Sequence, residues 1–145
     1  MDVNIALEAL LKEQAIVIND KTFQPTQVNK VNLSSGEIQY WIRGEENVWL
    51  CIDADTEEIR MFEDIDEELE PNDGAVFYGG DDYEFSYEAN GKVLDEEDEQ
   101  IDTVEFKEYE SPRGDILRLT EYEVAADVIQ SAIGWTITEE DLQEV

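Results

Sequence analysis

The sequence predicts a mainly β fold, an antiparallel curled sheet or a partly open barrel or sandwich, with a short N-terminal helix and a short C-terminal helical segment. Apolar and polar residues alternate with a period of two along most of the chain after Ala15, and turn residues interrupt this alternation at short intervals. A helical period appears only near the two ends. The 145 residues match the usual size of one domain, so we expect a single acidic β-rich domain over residues 1–145.

The first element is a helix, predicted from about Val3 to Gln14. Its apolar residues fall on one helical face: Val3, Leu7, Leu10 and Leu11. Asp2 suits the N-cap position, and Glu8 and Lys12 have the i,i+4 spacing of a favourable ion pair. We expect this helix to pack on the sheet rather than to bind a partner.

Consecutive antiparallel strands are predicted next, in the segments AIVI, TFQPTQVNKVNLS, EIQYWIR and NVWLCID. Turn-type residues separate them at Asn19-Asp20, Ser35-Gly36 and Gly44-Glu45. In VWLCI both alternating sets of residues are apolar, which is typical of a strand covered on both faces. This segment is therefore the predicted central strand, with Trp49, Leu50 and Ile52 buried.

The segment EIRMFEDI is predicted to return beside the central strand, which makes Asp53 to Glu58 a hairpin connection. DEELEPNDG is then a loop, and AVFYGG and DYEFSYEA are strands around a turn at Gly79-Gly80. Asn90-Gly91 is the strongest short hairpin signal in the chain. TVEFKEYES and DILRLTEYEV are predicted to pair across the turn at Ser111–Gly114.

The C-terminal part allows two interpretations. VAADVIQSAIG is either a helix capped by Gly134 or a bent strand. TITEEDLQEV predicts a last helical turn, with Thr138 as N-cap and Asp141 near the capping-box position.

Charge and composition exclude several classes of function. The formal net charge is −30, which repels phosphate, so we expect no direct binding to nucleic acid and expect a protein partner with a basic patch. The chain has no histidine, which removes every histidine-based triad and nearly all zinc and haem ligation. Solvation, salt adaptation and mimicry of the DNA backbone all stay open as reasons for the acidity. The single Cys51 lies in apolar WLCI and is interpreted as a small core residue.

No stretch approaches the roughly 18 consecutive apolar residues of a membrane span, and the N-terminal residues are acidic where a secretory signal is basic. We therefore expect no membrane insertion and a cytoplasmic location. The sequence makes no prediction of the oligomeric state.

The turn after the central strand has the carboxylate spacing with which a calcium loop begins, at Asp53, Asp55, Glu57 and Glu58. The sixth position of such a loop needs glycine and is Glu58, and the twelfth is Asp64 rather than a bidentate glutamate. The four residues are weak metal candidates, and we predict a solvated turn and no bound metal or cofactor. With 39 acidic residues, a pair at glycosidase spacing is expected by chance, so no catalytic residues are predicted.

Several aromatic residues could line a ligand pocket inside a barrel or simply form the core, and the second interpretation is the more typical one. These residues are Trp41, Trp49, Tyr78, Tyr83, Phe85 and Tyr87.

Motifs over roughly two-thirds of the chain suggest a family. They are Trp49-Leu50 before a carboxylate turn, Tyr83 and Phe85 ahead of Gly91, Tyr109-Glu110-Ser111 with Gly114, and Glu121-Tyr122 followed by Gly134. Together they resemble an uncharacterised bacterial family, the domain of unknown function numbered 4178. The resemblance implies a compact antiparallel β domain of the bacterial cytoplasm with no established catalysis. Members tend to be encoded near membrane-stress and polyamine-synthase-like proteins, which implies a partner role, and no functional residues carry over.

The leading functional hypothesis is a noncatalytic protein-interaction or accessory module with a strongly acidic surface, linked through the resemblance to bacterial membrane-stress systems. A DNA-mimic inhibitor of a nuclease or DNA-binding protein is the first alternative. A small-ligand or cation-binding β-barrel is the second.

Overall fold

The computed structural model describes residues 1–124 and 129–145, and 57% of these residues are in strands. The elements in chain order are α1 (Val3–Leu11), β1 (Ile16–Ile18), β2 (Lys21–Phe23), β3 (Gln27–Leu33), β4 (Ile38–Arg43), β5 (Val48–Asp53), β6 (Glu58–Ile65), β7 (Ala75–Tyr78), β8 (Asp81–Leu94), β9 (Gln100–Glu110), β10 (Ile116–Tyr122), β11 (Gln130–Ile137) and β12 (Leu142–Glu144). The predicted mainly β, antiparallel fold is confirmed.

Eight of these strands form a closed barrel in the order β3-β4-β5-β6-β11-β10-β9-β8. The ring closes where Lys30–Leu33 of β3 pairs with Gly91–Leu94 of β8. The predicted partly open barrel or sandwich is therefore wrong in this detail. β7 pairs with β8 beyond the ring, and β12, β1 and β2 form a separate three-stranded sheet.

The buried apolar side chains form three groups. The first fills the barrel, because all eight ring strands contribute to it, from Val31 of β3 to Ala132 of β11. The second lies outside the barrel, between α1 with the small sheet and the outer faces of β4, β5, β6 and β11. The third lies under β7, against Leu117 and Leu119 of β10.

The central strand β5 is covered on both faces, as predicted. Trp49 and Cys51 point into the barrel, whereas Leu50 and Ile52 pack toward α1, and all four are buried. Each face of the strand therefore contacts a different group of apolar side chains.

The helix α1 is confirmed, with a shorter span than predicted. The side chain of Asp2 accepts a hydrogen bond from the Asn4 N–H at 2.7 Å, and Lys12 pairs with Glu8. The helix ends at Leu11 instead of near Gln14, since Glu13 adopts a left-handed φ of 62°. Leu11 lies at the edge of the apolar face and is 42% exposed, contrary to the prediction.

The predicted hairpin at Asn90-Gly91 is wrong, because both residues lie inside β8. A Cβ atom at Gly91 would lie 2.5 Å from the Asn32 carbonyl oxygen, so glycine is needed here for the close approach of β3. The chain turns at Asp95–Glu99 instead, where the Asp95 carboxylate accepts hydrogen bonds from the Glu97 and Glu99 N–H groups.

The predicted turns at Gly79-Gly80 and at Ser111–Gly114 are confirmed, since β7 pairs with β8 and β9 with β10 across them. In the C-terminal part, residues 125–128 lie outside the described residues. Gly134 does not cap a helix, because it lies inside the strand β11, where the Phe62 ring leaves no room for a Cβ atom.

The predicted C-terminal helical segment is reduced to one 3-10 turn, Glu139–Asp141. Thr138 and Asp141 form the predicted capping box around it. The chain then continues as the strand β12, which pairs with β1. None of the helices in the described residues has the length and apolar character to cross a membrane.

Candidate functional site

One end of the barrel opens into a cavity of about 350 Å³, which we call the acidic mouth. Its exposed rim carries three carboxylates, Glu37, Glu58 and Glu110, and Asp53 lies below them with 8% exposure. Its wall is formed by Tyr87, Phe106 and Ile116. Its floor consists of three charged side chains, Arg60, Glu108 and Arg118.

The floor is an ion network between three different strands. Arg118 of β10 donates from Nε at 2.9 Å and from Nη2 at 2.6 Å to Glu108 Oε2 of β9. Arg60 of β6 donates from Nη1 at 2.7 Å to Glu108 Oε1. Both carboxylate oxygens of Glu108 are thus occupied by guanidinium groups, which fixes the three side chains in one arrangement.

The ion network determines the protonation states of Glu108 and Arg118. Burial raises the pKa of Glu108, but the charges and hydrogen bonds of Arg118 and Arg60 outweigh burial and hold that pKa below its ordinary value. Burial disfavours the charged form of Arg118, yet nearby Cys51 and Glu108 leave its pKa above the ordinary value. The floor therefore stays ionised.

Arg118 is 1% exposed and lies among aromatic rings inside the barrel. The centre of its guanidinium group is within 5.5 Å of four ring centroids: Phe106 at 4.3 Å, Phe62 at 4.6 Å, Trp41 at 5.4 Å and Trp49 at 5.5 Å. Attraction to the ring faces offsets part of the cost of removing this cation from water. Its Nη1 makes no hydrogen bond to the residues that the structure describes.

Arg60 connects the floor to the rim. Its Nε lies 2.7 Å from Glu58 Oε1, which is an ion-pair distance, although the alignment is not that of a hydrogen bond. The contact is therefore a charge interaction. Because the two arginines and the two glutamates of this group cancel in charge, the negative charge of the mouth comes from Glu37, Asp53 and Glu110.

Crowding of the rim carboxylates is visible at Glu37. Its pKa lies above the ordinary value, because of partial burial first, then the charge of Asp53 and a side-chain hydrogen bond to it, and then the charges of Glu58 and Asp55. The Asp53 carboxylate itself accepts hydrogen bonds from the backbone N–H groups of Asp55 at 3.0 Å and Thr56 at 3.2 Å. A cation at the rim would relieve this repulsion.

The four weak metal candidates do not converge on one point. Asp53 faces the mouth, and Asp55 is exposed in the turn. Glu57 has a left-handed φ of 55° and accepts a hydrogen bond from Asn4 Nδ2 at 3.0 Å, and Glu58 pairs with Arg60. Across residues 1–124 and 129–145, no group of three or more metal-binding side chains is arranged to hold an ion.

The aromatic candidates divide by position. Trp41 and Trp49 belong to the barrel interior, where their rings contact each other and flank Arg118. Tyr83 belongs to the third apolar group, together with the partly buried Tyr78. Phe85 is exposed, and only Tyr87 lines the acidic mouth.

Cys51 lies beside the network as a buried residue. Its Sγ donates to Gln39 Oε1 at 3.2 Å and accepts from Arg118 Nη2 at 3.7 Å. Burial raises the pKa of the thiol. A buried, protonated thiol agrees with its interpretation as a small core residue.

Sequence reasoning missed four residues of the candidate site, namely Glu37, Arg60, Glu108 and Arg118. One signal was present in DILRLTEYE, where Arg118 occupies the inward set of positions together with Ile116. A cation on the buried side of a strand indicates an internal ion pair, but the alternation alone does not show which of 39 acidic residues is its partner.

Comparison with known proteins finds no family model, no curated protein and no solved structure that matches this chain, so its site is interpreted from its own geometry and the resemblance to the family numbered 4178 stays a prediction.

Proposed function

We propose that the protein is a noncatalytic interaction module whose acidic mouth receives a basic side chain of a protein partner. The observation that carries the proposal is the crowding of carboxylates around one open cavity, expressed in the raised pKa of Glu37. Burial is the largest cause of the raised pKa of Glu37, and the negative charges of Asp53, Glu58 and Asp55 raise it further, which places several carboxylates close to Glu37. A lysine or arginine side chain supplies a compensating positive charge.

The dimensions and the lining of the mouth support a single side chain as the occupant. A cavity of about 350 Å³ is at the lower end of the range for small-molecule sites. Tyr87 and Ile116 offer apolar surface for an aliphatic stem, while the rim carboxylates face the charged end. The formal net charge of −30 would also steer a basic partner toward the protein.

Several features support a role without catalysis. Glu108 is held ionised by two arginines, so it is a poor proton donor, and the Cys51 thiol is buried with a raised pKa. The chain carries no histidine. The resemblance adds the expectation of a partner in the bacterial cytoplasm, within a membrane-stress system.

Calorimetric titration with a short lysine-rich peptide tests the proposal. The variant Glu37→Gln/Glu110→Gln should weaken binding by on the order of tenfold, because two rim charges are lost. The matched control Glu96→Gln/Glu97→Gln makes the same change of net charge in the exposed turn after β8 and should bind almost as the parent does. An equal loss in both variants would show that only overall charge attracts the peptide.

The volume and the acidic lining of the mouth also favour a second candidate, a site for a small organic cation. A free diamine that binds as tightly as the peptide, with the same sensitivity to the rim variant, would support this candidate over the first. The DNA-mimic hypothesis stays a prediction from composition. It expects competition with DNA for a basic protein and no special effect of the rim variant.

A further inference from the structure

The strand β8 has an interrupted edge. On one side it pairs with β9 along almost its whole length. On the other side it pairs with β7 over Asp81–Glu84 and with β3 over Gly91–Leu94. Among the residues that the structure describes, none pairs as a strand with residues 86–89 on that side.

Two backbone hydrogen bonds mark the ends of this gap. The Phe85 N–H donates to the Gly74 carbonyl at 2.9 Å, and the Asn90 carbonyl accepts from the Ser34 N–H at 2.9 Å. Backbone groups in a strand alternate between the two edges, so Glu88 directs its N–H and C=O to the same side as Asn90. These groups of Glu88 therefore face the gap, where no backbone group of residues 1–124 or 129–145 pairs with them, and they could pair with another chain.

The gap lies beside the acidic mouth. Tyr87 lines the mouth and also a second cavity of about 320 Å³, which is bounded by Ser34, Ser35, Glu88, Asn90 and Glu105 among others. Phe85, Ser86 and Glu88 are exposed. An extended chain along this edge would thus run between two cavities with acidic walls.

We propose that the partner binds as an extended basic segment, which adds a short strand to the Glu88 edge of β8 and places a basic side chain in the acidic mouth. Strand addition combines backbone hydrogen bonds for affinity with side-chain cavities for selectivity. The charge complementarity rests on Glu37 at the mouth and on Glu88 and Glu105 at the second cavity. This inference rests on the proposed function, which it extends by naming the conformation of the partner segment.

The first test uses a synthetic heptapeptide of alternating lysine and threonine and two N-methylated forms of it. One form is methylated at the backbone nitrogens of the lysines and the other at the backbone nitrogens of the threonines. Each form therefore lacks the N–H donors along one edge of the extended peptide, and the charge of the peptide is unchanged. One form should bind about tenfold more weakly than the parent peptide, and the other should bind nearly as well. Equal affinity of all three peptides would overturn strand addition.

The second test changes the protein. Glu88→Pro removes the N–H that faces the gap, while Glu88→Gln removes only the charge. The proline variant should bind the heptapeptide several-fold more weakly than the glutamine variant, with thermal unfolding used to check that both are folded. If the proline variant does not fold, the methylated peptides decide alone.

The two proposals fail in different ways. Loss of binding in Glu37→Gln/Glu110→Gln together with equal binding of the methylated peptides would keep the acidic mouth and reject the added strand. Unequal binding of the methylated peptides together with no effect of the rim variant would reject the mouth as the site of the basic side chain.

Discussion

Arg118 is a full positive charge inside the barrel, where it lies among apolar side chains and beside its buried partner Glu108. Its burial is compensated by two hydrogen bonds to Glu108 and by the surrounding rings. Removing one member of a buried pair leaves the other charged and unpaired, which usually costs more than the pair contributes in free energy. Arg118 therefore holds Glu108 in place in the floor, in addition to its effect on stability.

We expect Arg118→Met to lower the free energy of unfolding by about 3–5 kcal/mol, because Glu108 would lose its principal partner in a buried position. Urea unfolding followed by tryptophan fluorescence measures the change. The exposed Arg113, which pairs with Asp81, is the control, and Arg113→Met should lower the free energy of unfolding far less. Similar costs for the two variants would contradict the role assigned to the buried network.

The raised pKa of Glu37 predicts that the free energy of unfolding depends on pH. Its pKa is raised in the folded protein, so the folded state holds this proton more strongly than the unfolded chain does, and stability is lost as pH rises through the carboxyl range. Glu37→Gln should therefore raise the melting temperature at pH 7 and have little effect near pH 3, where the carboxyl is protonated in both states. If the melting temperature rose equally at both pH values, repulsion between the rim carboxylates would not be the cause of the rise.

At the scale of elements, β8 differs most from its prediction. The dipeptide Asn90-Gly91 is typical of a hairpin, yet the chain stays extended there because β3 crosses at a distance that only glycine allows. The glycine serves barrel closure, and the turn is made four residues further on by the Asp95 carboxylate.

Substitutions of Gly91 and Asn90 distinguish a role in barrel closure from a role in turn formation. Gly91→Ala should lower the free energy of unfolding by about 1–3 kcal/mol, because its Cβ atom would press on the Asn32 carbonyl. Asn90→Ala should have a smaller effect, since Asn90 has no left-handed φ to support. Denaturant unfolding of both variants checks the order, and a larger cost for Asn90→Ala would indicate a turn at this position.

What the sequence predicts well is local. The continuous apolar run from Val48 to Ile52 and the turn residues of Ser111–Gly114 specify their strands through neighbours in the chain. The ion network is not local: Arg60 and Glu108 are 48 residues apart and meet only because β6 and β9 face each other inside the closed ring. The same holds for barrel closure and for the gap in β8, which depend on where β3 ends and where β7 begins.

At the scale of the whole molecule, the acidic side chains repel one another, because the formal net charge is −30. The described residues contain a small number of ion pairs, so most acidic side chains have no cation beside them. The fold is held by three apolar layers, while its surface charge opposes compactness. The balance between them depends on the ionic strength.

Added salt should raise the melting temperature. The Debye length falls from ~30 Å at 0.01 M to ~10 Å at 0.1 M salt, so long-range repulsion is largely screened over this interval. Differential scanning calorimetry in sodium chloride at constant pH measures the effect. An unchanged melting temperature would mean that the carboxylates are spaced widely enough for their repulsion not to matter.

The pairing of β3 with β8, which closes the barrel, has a consequence for the folding rate. The seam joins chain segments that are far apart in sequence and consists of four residue pairs, from Lys30 with Leu94 to Leu33 with Gly91. The chain loses the entropy of a long loop before these few contacts form, so folding should be slow for a protein of this size and the seam should form late. Amide protons of the seam should then exchange with solvent earlier than those between β5 and β6, and the barrel should open at the side that adjoins the proposed partner strand.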